Sequence, residues 1–277
     1  MSELSKVSVQ VNIGDDYLIP DWPAPNWIKS AVSTRKKTIR NSFDSFNIAF
    51  HVNDDIENVT ANREQLITDL SLTNSPFWIE QVHGIESIEL LKSGYSNLDN
   101  RSNDTRIETR HSNNLIRADA SYTKQKELAC VVMTADCLPV LLTNKKGTWV
   151  SAIHAGWRGL CQGIIESTVA QYDGASGELI AWFGPAISQT HFEVGAEVKE
   201  AFLAVDKSYE PAFKSHKPNY YMADLYFIAR KKLSRLNIKA FGGEFCTFED
   251  SERFYSYRRD GVTGRMASLI WIEERNE

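Results

Sequence analysis

One cysteine and two histidines carry the residue types and positions from which a reactive site can be built. His83 closes the apolar segment Phe77 to Val82 and is followed by Gly84. Cys137 lies in Thr134-Ala135-Asp136-Cys137, a polar turn between two apolar runs. His154 ends the run Trp149 to Ile153 and opens the turn His154-Ala155-Gly156-Trp157-Arg158-Gly159. Each falls at an expected strand end, with a small residue (Gly84, Ala135 or Ala155) within two positions. Reactive side chains just past strand ends are what a site on a rigid scaffold needs. One thiolate and two imidazoles make a three-ligand set with an open fourth position, the pattern of catalytic zinc sites. Sulfur with imidazole suits Zn²⁺ or copper better than Mg²⁺ or Ca²⁺. Cys137 lies 54 positions after His83, and His154 lies 17 after Cys137, which is not zinc-finger spacing. The same atoms allow a second chemistry, with Cys137 as nucleophile and His154 as its base. Taken singly, each residue is as readily a packed thiol or a hydrogen-bonded structural histidine.

Arginines form a second constellation. Arg158 follows His154 in its turn, Arg258, Arg259 and Arg265 flank Asp260-Gly261 and Gly264, and Arg35 and Arg63 come early. A lone surface arginine is usually solvated or salt-bridged. Clustering beside glycines, where backbone approaches a ligand closely, favours an anion site. Asp136 is placed to orient a ligand histidine, to shuttle a proton, or simply to stabilise its turn. Cys130, within an apolar run, and Cys161, on an expected helix, read as packing residues, while Cys246 reads either way.

These residues need elements to hold them. Candidate strands cover Ile28 to Val32, Phe77 to His83, Ile85 to Leu91, Ala118 to Thr123, Leu128 to Met133, Pro139 to Thr143, Trp149 to Ile153 and Leu179 to Phe183. Phe254 to Ser256 and Ala267 to Ile272 are late ones, and Asn41 to Asn53 reads as loop and then a short strand. Apolar residues at helical spacing predict helices over Asp54 to Leu72, Leu160 to Tyr172, Val194 to Val205 and Met222 to Leu236. Gly94 to Asn114 is polar and reads as an exposed loop. Strands and helices mix without a βαβ rhythm. The expected class is α+β: a polar tail over 1–19, then one layered domain of mixed sheets flanked by helices over 20–277.

Bulk composition excludes several function classes. The 277 residues are 42% hydrophobic and 24% charged, enough for a substantial core. A net charge of −5, from 31 basic and 36 acidic residues, argues against bulk binding to nucleic acid or an anionic membrane. Four cysteines without a C-x-x-C pair do not make a disulfide scaffold. The N-terminus lacks an apolar signal core, and no apolar run reaches the ~18 residues that span a bilayer. A reducing cytoplasm is the expected compartment. Neither a G-x-G-x-x-G after a strand nor a G-x-x-x-x-G-K-[ST] loop is present.

The segments QVHG, ADA (118–120), TADCLPVLL, HAGWRGL, GPAIS, FEVG, CT and FYSYRRDGVTGRMASLIW occur in this order. This series resembles the YfiH or laccase-domain family, from about Pro20 to Ile272. The resemblance implies a single layered domain whose metal ligands are His83, Cys137 and His154. It implies a zinc enzyme, with copper as an alternative metal, that phosphorolyses adenosine, inosine and methylthioadenosine, so that its partners are a purine nucleoside and phosphate. Adenosine deamination and copper-linked phenol oxidation are further activities the family implies. The H-x-E and P-C-x-x-C of the familiar nucleobase deaminases are absent, so deamination would use another layout. Six histidines, two already in this site, are too few for the several copper centres of ordinary multicopper oxidases. On this reading Cys137, Asp136 and Arg259 are catalytic candidates, Arg35, Asn47, Gln81 and Arg158 are candidate substrate contacts, and Arg35 and Arg259 are the candidates for contacts to phosphate or ribose. A monomer or small homo-oligomer is expected. The family's T-T-R-x-G-G-x-S stretch is altered: Ser33-Thr34-Arg35 runs into Lys36-Lys37-Thr38 without the glycines. Two neighbouring segments also differ, as Phe43-Asp44-Ser45-Phe46-Asn47 and His51-Val52-Asn53-Asp54-Asp55, which points to an altered pocket wall.

Overall fold

The computed structural model describes residues 16–35, 43, 46–96 and 116–274. Its strands are β1 (Tyr17–Leu18), β2 (Ile28–Ser33), β3 (Ser87–Leu91), β4 (Gly94–Ser96), β5 (Ala120–Thr123), β6 (Cys130–Thr134), β7 (Leu138–Asn144) and β8 (Val150–Ala155). These are followed by β9 (Leu179–Phe183), β10 (Glu193–Gly195), β11 (Phe213–Lys217), β12 (Tyr220–Ala223), β13 (Lys239–Gly242) and β14 (Met266–Ile272). The helices are α1 (Ile56–Asp69), α2 (Trp157–Gln162), α3 (Ile164–Val169), α4 (Ala196–Val205), α5 (Leu225–Arg235) and α6 (Tyr257–Asp260). Three sheets result: β1-β2-β14-β6, β13-β9-β7-β8-β5-β3-β4, and the small β10-β12-β11. The fold is α+β with mixed sheets, as the sequence predicts.

The period of two along each strand sorts side chains between layers. In β6, Cys130 and Val132 face the core between the two large sheets, while Val131 and Met133 face a second core under α1. In β14, Met266, Ile270 and Ile272 take the first side and Ala267, Leu269 and Trp271 the second. In β7 and β8, Leu141, Val150 and Ala152 face the four-stranded sheet, while Leu138, Val140, Leu142, Ile153 and Ala155 face the layer of α2 to α5. The order of layers is therefore α1, four-stranded sheet, seven-stranded sheet, helices. Both faces of the central strands are buried, which is why they read as unbroken apolar runs without alternation. Truncating a fully buried side chain such as Leu141 is expected to cost about 2–5 kcal/mol.

Local chemistry corrects several expected boundaries. Asp55 caps α1 by accepting from Glu57 N at 2.8 Å, so the helix starts at Ile56. Phe77 to His83 is not a regular strand; it touches its neighbours at isolated bridges, Phe77 with Cys130 and Glu80 with Arg117. The helix expected over Leu160 to Tyr172 is two, because Gly163 at φ 104° ends α2 in the left-handed conformation that only glycine adopts without cost. Met222 and Ala223 belong to β12, and the Asp224 carboxylate, accepting from Phe227 N at 2.8 Å, starts α5. Phe254 to Ser256 is not a strand, because Ser256 Oγ accepts from Arg259 N and caps α6. Phe50–Val52 is a 3-10 turn rather than a strand. Gly94–Ser96 is β4, while the rest of that expected loop, like Lys36 to Thr38, lies outside the described residues. Tyr17–Leu18, inside the segment read as tail, pairs with β2. Among the described residues no helix is long and apolar enough to cross a membrane.

Candidate metal centre

Strand register brings the three candidate ligands together. β7 and β8 pair with Leu138 opposite Ala155 and Pro139 opposite His154, so Cys137, one step before β7, emerges beside Gly156. β5 and β8 pair with Ala120 opposite Ile153, and His154 N donates to Asp119 O at 2.7 Å. Asp119 therefore lies alongside His154, and the carboxylate Oδ1 is 2.8 Å from His154 Nδ1. The turn carrying His83 is fastened to the same carboxylate, which accepts from the backbone N–H of Val82 (3.2 Å), His83 (2.9 Å) and Gly84 (2.6 Å). His83 sits at φ 61° and Asp136 at φ 93°, a conformation that is costly without a Cβ-free residue and persists where surrounding bonds enforce it.

The ligand atoms of His83, Cys137 and His154 lie within 4.8 Å of one another. Cys137 Sγ is 3.8 Å from His83 Nε2, and the two imidazoles meet edge to face at 4.8 Å between centroids. Two glycines leave this room. A Cβ on Gly156 would lie 2.8 Å from His83 Cδ2 and 3.2 Å from Cys137 Sγ, and one on Gly159 would lie 2.6 Å from Gly84 O. Burial raises the affinity of the Cys137 thiol for its proton, but the charge and hydrogen bonds of His154 and His83 outweigh it and bring the thiol down to about 6. Burial works against a charged His154, yet Cys137 and Asp119 together raise its imidazole to about 9. A thiolate ready at neutral pH, two imidazoles, and a carboxylate that fixes which nitrogen of His154 faces the sulfur are a donor set that fits a soft divalent ion.

The sequence profile of the family described as multi-copper polyphenol oxidoreductase laccase matches residues 29–273. The chain belongs to this laccase-domain family. A Shigella flexneri relative named purine nucleoside phosphorylase YfiH is 42% identical over 257 residues, covering 92% of this chain and 98% of the relative. The Pseudomonas aeruginosa purine nucleoside phosphorylase PA4543 is 42% identical over 261 residues, covering 93% and 99%. Among solved structures, Neisseria meningitidis protein NMB0706 superposes with a TM-score of 0.82 at 37% identity, covering 94% of this chain and 100% of that one.

Most of the other candidates are bonded within the protein. Asp136 is turned into the loops around the site: Oδ1 accepts from Thr247 Oγ1 at 2.6 Å and Oδ2 from Arg258 N at 2.7 Å. Arg259 donates through Nη1 to Thr247 O and Phe248 O, through Nη2 to Phe254 O, and through Nη2 and Nε to both oxygens of Asp260. All five of its N–H groups are thereby occupied. Arg35, 8% exposed, lies 3.9 Å from the same Asp260 carboxylate and over the Tyr255 ring at 5.3 Å. Its Nη1 donates weakly to Ser251 O at 3.4 Å. Asn47 is fully buried and bonded to Ala49, Asp54 Oδ2 and Arg265 N. Gln81 makes a two-point bond to the backbone of Met133, at 2.8 and 2.7 Å. Arg158 is exposed at the start of α2, against the Trp157 ring at 4.6 Å.

Two groups near the ligands carry more weight than the sequence alone assigns them. Asp119 holds both histidine-bearing segments; its sequence signal is an acidic residue between two alanines, just ahead of the wholly buried strand β5. Arg265 lies close enough to Cys137 and Asp136 for each to favour its charge, although burial lowers its proton affinity. The same charge, after burial, lowers His51, with Arg63 contributing. The Arg63 guanidinium is itself held between the Phe50 ring at 4.3 Å and the Trp78 ring at 3.8 Å. Arg265 thus sets a positive charge near the thiol.

Proposed function

We propose that the protein is a zinc-dependent enzyme that phosphorolyses adenosine, inosine and methylthioadenosine to the free base and ribose 1-phosphate or its methylthio counterpart. The observation that carries this reading is the cluster of His83, Cys137 and His154, oriented by Asp119 and bordered by Arg265. It is supported by relatives that cover nearly the whole chain and bear the name purine nucleoside phosphorylase. In phosphorolysis the N-glycosidic bond breaks, a phosphate oxygen bonds to the sugar carbon, and the purine leaves with a proton. The transition state is positively charged at the sugar, so its partners are phosphate held nearby and help for the leaving base. Zinc held by His83, Cys137 and His154 supplies a Lewis acid at this position.

The chain's own residues do the rest. Asp119 fixes the His154 tautomer and the His83 turn. Arg265, with donors beyond those given to Thr263 O and Gly264 O, is the cation best placed to hold the attacking phosphate. This moves the anion contact from Arg259, whose donors are occupied, to its neighbour in the same arginine-rich turn. Arg35 retains a buried Nε without a hydrogen-bond partner among the described residues and stays a candidate contact. Asp136, with one carboxylate oxygen on a hydroxyl, can relay a proton through Thr247 Oγ1. Adenosine deamination is the side reaction of the same site, and phenol oxidation the side reaction of a copper-loaded form.

A second reading has one specific observation in its favour. The Asp119–His154–Cys137 chain, with a lowered thiol and a raised imidazole, is also what a cysteine hydrolase needs. Alkylation of the metal-free thiol and an acyl-enzyme mass shift would mark that alternative. The phosphorylase is tested by chromatography of products from adenosine with and without phosphate. Absence of adenine from a metal-loaded sample in phosphate removes the reading. Retention of full zinc and full activity by Cys137→Ala removes the site.

A further inference from the structure

A second group of side chains able to ligate a metal lies apart from the first. His191, Cys246 and Glu249 bring one nitrogen, one sulfur and one carboxylate oxygen within 4.8 Å of one another. We propose that these three residues form a second soft-cation site, for an ion of the zinc class. The proposal stands apart from the nucleoside reading and uses none of its ligands.

Each donor is oriented by its neighbours. His191 lies flat on Phe248, with centroids 4.4 Å apart and planes 12° from parallel, so the imidazole plane is fixed. Its Nε2 is 2.8 Å from Glu249 Oε1. Cys246 Sγ accepts two hydrogen bonds, from Ser188 Oγ at 3.0 Å and Ser188 N at 3.4 Å. Ser188 Oγ is in turn 2.6 Å from Thr190 Oγ1. Two donors aimed at the sulfur fix its position and leave its remaining lone pairs for a cation, the role of outer partners around sulfur ligands.

The chemistry of the donors favours a metal over a nucleophile. A catalytic thiol needs its imidazole in hydrogen-bond contact. Cys246 and His191 make no such bond with each other; the imidazole goes to Glu249 instead. Thiolate, carboxylate and neutral imidazole together carry the charge that balances a divalent ion. Tetrahedral zinc bonds of ~2.0–2.3 Å set ligand atoms about 3.3–3.6 Å apart. Glu249, 59% exposed, and His191, 28% exposed, can close the remaining gap with side-chain motion alone. That exposure also gives the ion a path in, and water or Ser188 Oγ completes the fourth position.

The position gives such an ion a consequence. Thr247, between two members of the cluster, donates to Asp136 beside Cys137, and the Arg259 guanidinium holds Thr247 O and Phe248 O. A cation on Cys246 and Glu249 therefore ties down both ends of the segment whose Thr247 bonds Asp136.

The test is titration of the metal-free protein with Co²⁺, which reports each thiolate ligand by a sulfur-to-metal charge-transfer band, with Zn²⁺ equilibrium dialysis as the count. Two equivalents are expected per chain, and Cys137→Ser is expected to keep one, with its thiolate band. His191→Asn and Glu249→Gln alter side chains at the surface and leave the fold intact; each is expected to halve the stoichiometry and leave the Cys137 band. Saturation of the wild-type chain at one equivalent overturns the proposal. So does a second equivalent that survives both His191→Asn and Glu249→Gln.

Discussion

Asp119 Oδ1 lies 2.8 Å from His154 Nδ1, and the same carboxylate takes the backbone N–H groups of Val82, His83 and Gly84. One buried side chain thus aims one candidate ligand and folds the turn that presents another. Burial alone would raise the Asp119 carboxyl, but the bond from His154 and those from Gly84 and His83 bring it below its ordinary value. A carboxyl held low in the folded state adds stability above its unfolded pKa, about 3.9, and that contribution is lost as pH falls through the folded value. Asp119→Asn presents an amide N–H to some of these donors. It is expected to weaken metal binding by about 10–100-fold, measured by competition with a chelator. Unchanged affinity would deny the carboxylate its orienting role.

Proton release on metal uptake reports the charge state of the pair. In the metal-free chain the Cys137 thiol titrates at about 6 and the His154 imidazole at about 9, so between those values they stand as thiolate and imidazolium. Metal takes the thiolate and the neutral imidazole. Near neutral pH uptake is therefore expected to release roughly one proton from this pair, rising toward two as pH falls below the thiol value and falling to none above the imidazole value. Calorimetry in buffers of different ionisation enthalpy measures the count. No release near pH 7 would contradict the pairing.

Gly156 tests the packing of the site without replacing a candidate ligand. Its backbone, at φ −64°, accepts any residue, so alanine there introduces only its Cβ, 2.8 Å from His83 Cδ2. His83 is exposed and will swing away. Gly156→Ala is expected to lower metal affinity by about tenfold or more while leaving the thermal midpoint of the metal-free protein within a few degrees. Calorimetric melting with and without metal separates the two effects. A variant that binds metal normally would show that the glycine serves another purpose.

The three candidate ligands stood out in the sequence because each borders an apolar run beside a small residue; strand ends carry Cys137 and His154, whereas His83 sits in an irregular segment that Asp119 holds in place. The arginines were harder to read. Residue type names a cation but not its partners, and Arg259 is used up by four carbonyl and carboxylate groups from its own turn and the loop before it. Gln81 and Asn47 carry amides that satisfy backbone groups of distant segments, a pairing that spacing cannot show. The two-layer sheet arrangement was hidden for the opposite reason. Strands buried on both faces lose the alternation that says which side meets which layer. Gly163 did announce a break in its helix, but isolated glycines are tolerated within helices, so the composition alone left the segment continuous.

Arg259 separates a structural clamp from a phosphate contact. Arg259→Lys keeps the charge but cannot reach three carbonyls and a carboxylate at once. It is expected to lose on the order of 3 kcal/mol in urea unfolding, with reduced turnover following from the loosened loop. Arg265→Lys is expected instead to raise KM for phosphate with little change in stability. The reverse pattern, stability unmoved by Arg259→Lys and KM for phosphate raised, would restore Arg259 as the anion ligand.

The most direct test is the dependence of base release on phosphate. Zinc-loaded protein is incubated with adenosine, with and without phosphate, and the products are separated by chromatography. The expected result is adenine together with ribose 1-phosphate, formed only when phosphate is present and lost in Cys137→Ala. Adenosine recovered unchanged from metal-loaded protein in phosphate, or adenine formed equally well without phosphate, would contradict it.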